Sequence, residues 1–131
     1  MEWRGVSGAV AVETLDGNGS TAFRTPLATL HAFQGFADVF LTTPAAGLQD
    51  LRLGVGYELP ASALGPVRLS ARYHDFSPRS GQLELGREVN LGLFTTLARG
   101  IRFSAEYADF YGAHENLPDI RKLWLALAVS L

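Results

Sequence analysis

The chain has 131 residues, of which 47% are hydrophobic, with a formal net charge of −2 and no cysteine. This length predicts one domain, and the near-neutral charge argues against nucleic acid as a partner. Without cysteine there are no disulfide bridges and no thiolate metal sites. No run reaches the ~20 apolar residues that a membrane helix needs, and the N-terminus has no signal-peptide pattern.

In chain order we predict seven strands, in which apolar and polar side chains alternate. Pro26 interrupts the second strand, because proline removes a ladder donor. Residues 35–41 lose the alternation, so a short helix or a tucked loop is expected there. The predicted strands are 3–15, 21–33, 48–59, 67–76, 83–98, 101–111 and 120–131.

Two of these strands have similar ten-residue sequences. Residues 67–76 read VRLSARYHDF and residues 101–110 read IRFSAEYADF, an offset of 34 positions. That offset fits one up-and-down hairpin, and most connections are short. We therefore predict an all-β, antiparallel, up-and-down meander of about seven long strands.

The length of the strands indicates their surroundings. Strands of roughly ten to fifteen residues exceed the five or six that are typical of soluble sheets. They match the length needed to cross a bilayer at a tilt, and the apolar rows carry almost no charge. This favours part of a transmembrane β-barrel. An odd strand count predicts a sheet that is open or incomplete, because single-chain bacterial barrels usually have even counts.

Alternation alone also fits a soluble β-barrel that binds a small apolar ligand inside, and this alternative stays open. Tyr73, Tyr107 and Tyr111 lie on apolar rows close to loops, which predicts an aromatic girdle at one rim or, alternatively, ordinary strand aromatics. The membrane interpretation requires one set of apolar side chains to face outward together. That set is Leu91, Leu93, Ile101, Phe103, Leu123, Leu125, Leu127 and Val129.

The charged rows are the candidate functional surface. Either they form a mutually neutralising ladder along the wall, or their arginines attract anionic solutes, as rings of arginine do in pores. The candidate lumen-lining residues are Arg52, Arg102, Arg68, Arg72, Lys122, Glu58, Glu88, Glu106 and Asn90.

Hairpin register predicts which of these charges cancel. Pairing across the connection 77–83 places Arg72 opposite Glu88, and pairing across the connection 60–66 places Glu58 opposite Arg68. Each pair would contribute roughly 0.2–1 kcal/mol. The arginines outside these pairs, Arg52 and Arg102, are then the better candidates for attracting anions.

No catalytic group is expected. The histidines are His31, His74 and His114. His74 and His114 each precede an acidic residue, and in a strand such neighbours point to opposite faces. A zinc site needs three or four convergent ligands, and a Ser–His–Asp site would need scattered residues to converge. We expect no enzyme activity, no metal and no cofactor.

Four segments carry a resemblance to a known family: TPLATLHAFQGFAD at 25–38, FLTTPAAGLQDL at 40–51, YHDF at 73–76 and KLWLAL at 122–127. They resemble the C-terminal part of the alginate-export family of bacterial outer-membrane barrels. The resemblance implies a porin-like channel in the outer membrane of a Gram-negative bacterium, for small polar solutes or an anionic polysaccharide such as alginate.

The resemblance also bears on domain organisation and partners. It implies that residues 1–131 are a single barrel domain or the C-terminal fragment of a larger barrel. Its partners would be membrane lipid, the transported solute, and the missing strands or the outer-membrane assembly machinery.

Overall fold

The structure, a computed structural model, describes residues 2–3, 5–17, 35–40, 43–62, 65–81 and 83–130. These residues form a single antiparallel sheet in which each strand pairs with its neighbours in sequence. The sheet has six long strands and one two-residue strand. They are β1 (Glu2–Trp3), β2 (Val6–Leu15), β3 (Leu48–Ser62), β4 (Gly65–Ser77), β5 (Gly86–Ala98), β6 (Ile101–Gly112) and β7 (Ile120–Val129).

The predicted all-β meander is confirmed. Among the described residues β7 pairs only with β6 and β1 only with β2, so the sheet is open, as the odd strand count predicted. Seven long strands are not found, because β2 pairs directly with β3 and the strand predicted at 21–33 lies outside the described residues.

The connections distinguish two ends of the sheet. At the long-loop end, residues 78–85 and 113–119 join successive strands, and the described residues 16–17, 35–40 and 43–47 lie at the same end. At the short-turn end, the connections are only 4–5, 63–64 and 99–100. In bacterial outer-membrane barrels, long loops face outside and short turns face the periplasm.

The sheet has an apolar face and a polar face. Directly opposed residues form continuous rows across the apolar face, as Tyr57, Leu69 and Leu93 do in β3, β4 and β5. Large side chains on this face are exposed: Val10 is 73% and Leu125 66% exposed. The predicted outward set shares this face in the observed register, namely Leu91, Leu93, Ile101, Phe103, Leu123, Leu125, Leu127 and Val129.

One of the two predicted registers is confirmed. Glu58 lies opposite Arg68 in the β3–β4 pair, although no ion pair joins these two described side chains. The β4–β5 register is wrong by two residues. Arg72 lies opposite Asn90 and not Glu88, because residues 83–85 remain outside the strand. A slip of two keeps every side chain on its predicted face.

The brief helix expected at 35–41 is wrong. The described part, residues 35–40, forms two consecutive turns, which is the tucked loop that the lost alternation also allowed. Gly35 has φ 86° and Asp38 has φ 57°, so both leave the helical region. We call residues 35–40 the inner segment.

The hydrophobic core lies at the long-loop end of the polar face. Phe76 of β4 and Phe110 of β6 are fully buried there. The inner segment packs on them through Phe36, Ala37 and Phe40. The core is therefore built where the inner segment covers the sheet, and the Leu- and Val-rich rows of the apolar face take no part in it.

Candidate functional site

The inner segment is held to the polar face through its backbone. The Ala37 amide donates to Glu88 Oε1 at 2.8 Å, and the Phe36 amide donates to Asn90 Oδ1 at 3.3 Å. Asn90 Nδ2 also donates to Glu88 Oε1. Glu88 and Asn90 are both buried, so these bonds replace the water that the polar groups lose.

The carbonyl groups of the same segment bind β7. Lys122 Nζ donates to the Ala37 carbonyl, and Trp124 Nε1 donates to the Phe36 carbonyl at 3.4 Å. Lys122 Nζ also lies 3.9 Å from Asp38 Oδ2. The inner segment thus lies across β6, and it is hydrogen-bonded to β5 on one side and to β7 on the other.

Aromatic contacts complete the attachment. The Phe40 ring centroid lies 4.8 Å from that of Phe76 and 5.9 Å from that of Phe110, in tilted and edge-on arrangements. The Arg72 guanidinium carbon lies 5.5 Å from the centre of the Phe36 ring. These geometries are favourable for ring pairs and for a cation over a ring.

A second buried polar group lies beside the first. His74 Nδ1 lies 2.9 Å from Asp50 Oδ2, and the His74 ring stacks on Phe76 at 5.4 Å. His74 is directly opposite Glu88. His74 Nε2 and Glu88 Oε2 are buried and have no hydrogen-bond partner among the described residues.

The other half of the polar face is rich in arginine, and none of the described residues packs over it as the inner segment does over the first half. The charges of Arg52, Arg68 and Glu106 all act on Arg72, which lies among them. The Arg68 guanidinium carbon lies 5.4 Å from the centre of the Phe94 ring. Arg102 is exposed close to the short-turn end, opposite Thr96 and Ala128.

The predicted lumen-lining residues share the polar face, but they fall into two groups. Glu88, Asn90 and Lys122 hold the inner segment, which sequence reasoning missed. The observed register placed the remaining candidates on the open part of the face, or at its border in the case of Arg72. These are Arg52, Arg68, Arg72, Arg102, Glu58 and Glu106.

The Asp50–His74 pair was also missed, although a signal for it existed. The correctly predicted β3–β4 register places Arg52 opposite His74, which makes Asp50 a diagonal neighbour of His74 on the same face. The hydrogen bonds of the inner segment had no such signal, since they join residues 51 to 88 positions apart.

Neither a candidate metal-binding group nor a membrane-spanning helix is found in the described part of the chain. No three His, Asp or Glu side chains lie close enough together there to hold a metal ion. No helix there is long and apolar enough to span a membrane. The chain matches no protein-family model, no curated protein and no solved structure.

Proposed function

We propose that the chain forms part of an outer-membrane β-barrel whose polar face lines a porin-like channel for small polar or anionic solutes. The observation that carries this proposal is the exposed apolar face. Leu123, Leu125 and Leu127 are each at least 64% exposed, along the whole of β7. Apolar surface of this extent is costly in water and favourable in lipid.

The height of this face suits a bilayer. From Arg121 to Val129 the strand spans about 26 Å at ~3.3 Å per residue. A tilt of about 40° converts this length to roughly 20 Å, which is close to the ~25 Å apolar band of outer-membrane barrels. The long loops and short turns at the two ends follow the asymmetry of such barrels.

The soluble alternative places the Leu and Val rows inside a barrel. That arrangement is disfavoured by the core of the described residues, which lies on the polar face around Phe76 and Phe110. Closing the sheet around its apolar face would also place the inner segment on the outside of the barrel, together with the buried carboxylates of Asp50 and Glu88.

Selectivity for anions is supported by the formal charges of the predicted lumen residues. Besides Glu88 and Lys122, which bind the inner segment, these residues include four arginines and two glutamates, so their formal charge is net positive. The four cations are Arg52, Arg68, Arg72 and Arg102, and the two anions are Glu58 and Glu106. An anionic polysaccharide such as alginate would be a fitting solute for this wall.

Conductance of the full-length protein in a planar bilayer tests the proposal. We expect ion conductance with a preference for chloride over potassium, and a lower preference in Arg52→Ala/Arg102→Ala. Arg99→Ala, which removes one charge in a turn, is the control and should leave the preference unchanged. Absence of conductance would refute the channel. Unchanged anion preference in the double variant would refute the role of these arginines.

A further inference from the structure

A polar belt borders the apolar face at its long-loop end. In the observed register Arg87 lies opposite both Asp75 and Tyr111, and Asp109 lies opposite Arg121. These residues share the apolar face, one or two pleats above the leucine rows. We call Asp75, Arg87, Tyr107, Asp109, Tyr111 and Arg121 the outer belt.

The negative charge at the centre of the outer belt is used internally. Arg121 Nε donates to Asp109 Oδ1 at 3.2 Å. The hydroxyl groups of Tyr107 and Tyr111 donate to Asp109 Oδ2 at 3.2 and 3.0 Å. Both carboxylate oxygens are therefore occupied, and the bond to Nε fixes the direction of the Arg121 side chain.

Two guanidinium groups remain available to an outside ligand. The Arg121 side chain is 68% exposed, and only its Nε contacts Asp109. Arg87 is exposed and forms no ion pair with its opposed residue Asp75, both being described residues. Strand spacing and rise place the two Cα atoms about 12 Å apart on either side of β6. Two arginine side chains can converge over this distance.

We propose that Arg87 and Arg121 bind the phosphate groups of a glycolipid headgroup in the outer leaflet of the membrane. This inference rests on the proposed function, because only insertion brings the belt to the level of headgroups. The long loops place the belt on the outer side of the membrane. Arginine presents a planar fork that binds phosphate through two parallel hydrogen bonds.

A lipid phosphate fits the belt better than free phosphate does. The acyl chains of the same molecule would lie on the leucine and valine rows directly below. One lipid would then contact the arginines of the outer belt and the apolar rows at the same time. A free phosphate would gain only two exposed ionic contacts, which water screens. The headgroup is expected to carry two phosphates, one for each arginine.

The test measures binding of fluorescent diphosphoryl lipid A to the full-length protein in neutral detergent micelles. Dephosphorylated lipid A and inorganic phosphate serve as competitors, and flotation with phosphatidylcholine liposomes reports insertion separately. The variants are Arg87→Gln, which leaves the Asp109 network intact, and Arg121→Gln. Arg99→Gln, in a turn at the short-turn end, makes the same charge change outside the belt.

We expect Arg87→Gln and Arg121→Gln each to weaken binding of diphosphoryl lipid A about fivefold, the value of one basic residue near an anionic headgroup. Arg99→Gln and inorganic phosphate should have no effect. Equal affinity for dephosphorylated lipid A, an equal loss in Arg99→Gln, or displacement by inorganic phosphate would each overturn the inference while insertion stands. Failure to float with liposomes would overturn the proposed function and this inference with it.

Discussion

Phe76 and Leu125 belong to the same sheet, but their surroundings are opposite. Phe76, on the polar face, is fully buried under the inner segment, whereas Leu125, on the apolar face, is 66% exposed. The polar face has thus built a small core at one end, with its buried carboxylates and amides hydrogen-bonded. The apolar face has no such cover in the described residues. The first region should therefore lose stability when a buried side chain is truncated, and the second when a charge is placed on its lipid-facing surface.

The largest effect is expected in the core of the polar face. Phe76→Ala removes a fully buried ring that contacts Phe40, Phe110 and His74. We expect a loss of about 3–5 kcal/mol in the free energy of unfolding, the usual range for a buried phenylalanine. Urea titration of the protein in bilayers measures it.

Phe103→Ala, on the apolar face, is the matched control. In a bilayer, lipid chains fill the space that the ring leaves, and the loss should stay below about 1.5 kcal/mol. Equal losses at the two positions would mean that both faces are packed alike, which contradicts the comparison.

The next effect concerns the tether of the inner segment. Glu88→Ala removes the acceptor of the Ala37 amide and leaves Asn90 Nδ2 without its partner. We expect a loss of about 2–3 kcal/mol, since buried hydrogen bonds to a charged group are among the stronger ones. Hydrogen exchange of the Ala37 amide should accelerate. Glu88→Gln retains one acceptor oxygen and should keep most of the protection, while equal exchange rates in the two variants would refute the tether.

The sequence predicted the faces of the strands but not the inner segment. Alternation is local, so the rows around Leu53, Leu69 and Leu125 could be assigned from neighbouring residues alone. The β3–β4 register followed from a tight turn. The β4–β5 register did not, because Leu85 bonds back to the Phe76 carbonyl and ends the loop two residues later than expected.

The candidate site was predicted only in part for the same reason. Arg52 and Arg102 were assigned to the correct face by parity, and they remain candidates for anion selectivity. Glu88, Asn90 and Lys122 were also assigned to the correct face, but Glu88 was paired with the wrong residue. The bonds of all three to the inner segment were missed, because that segment is distant in sequence. The alternation of apolar and polar residues contains no information about a contact between a strand and a loop about 50 residues away.

A smaller loss of stability is expected at Gly35, where the inner segment approaches β5. Gly35 has φ 86°, and a Cβ at this position would lie 2.6 Å from the Glu88 carboxylate. Gly35→Ala should cost about 2 kcal/mol, from backbone strain and displacement of Glu88. Gly81, with φ 97° and no atom within 4 Å of such a Cβ, is the control. Gly81→Ala should cost only about 1 kcal/mol. A cost at Gly35 no greater than that at Gly81 would argue against close contact with Glu88.

The smallest effect is expected at the exposed ion pair of the long-loop end. Arg79 Nε lies 3.2 Å from Asp16 Oδ1, and both side chains are largely in contact with solvent. Arg79→Ala should change the free energy of unfolding by less than about 0.5 kcal/mol, because water and salt screen the pair. A larger loss, measured by the same urea titration, would mean that the pair is shielded from solvent, which contradicts its exposure in the structure.

The most direct test of the membrane assignment compares two adjacent residues of β7. Leu125 and Ala126 are both exposed, but Leu125 lies on the apolar face and Ala126 on the polar face, opposite Ser104. The measurement is the unfolding free energy of Leu125→Arg and Ala126→Arg in lipid bilayers. We predict a loss of about 2–4 kcal/mol for Leu125→Arg, near the middle of the apolar band, and less than about 1 kcal/mol for Ala126→Arg. Equal losses, or a greater loss for Ala126→Arg, would contradict a lipid-facing apolar surface.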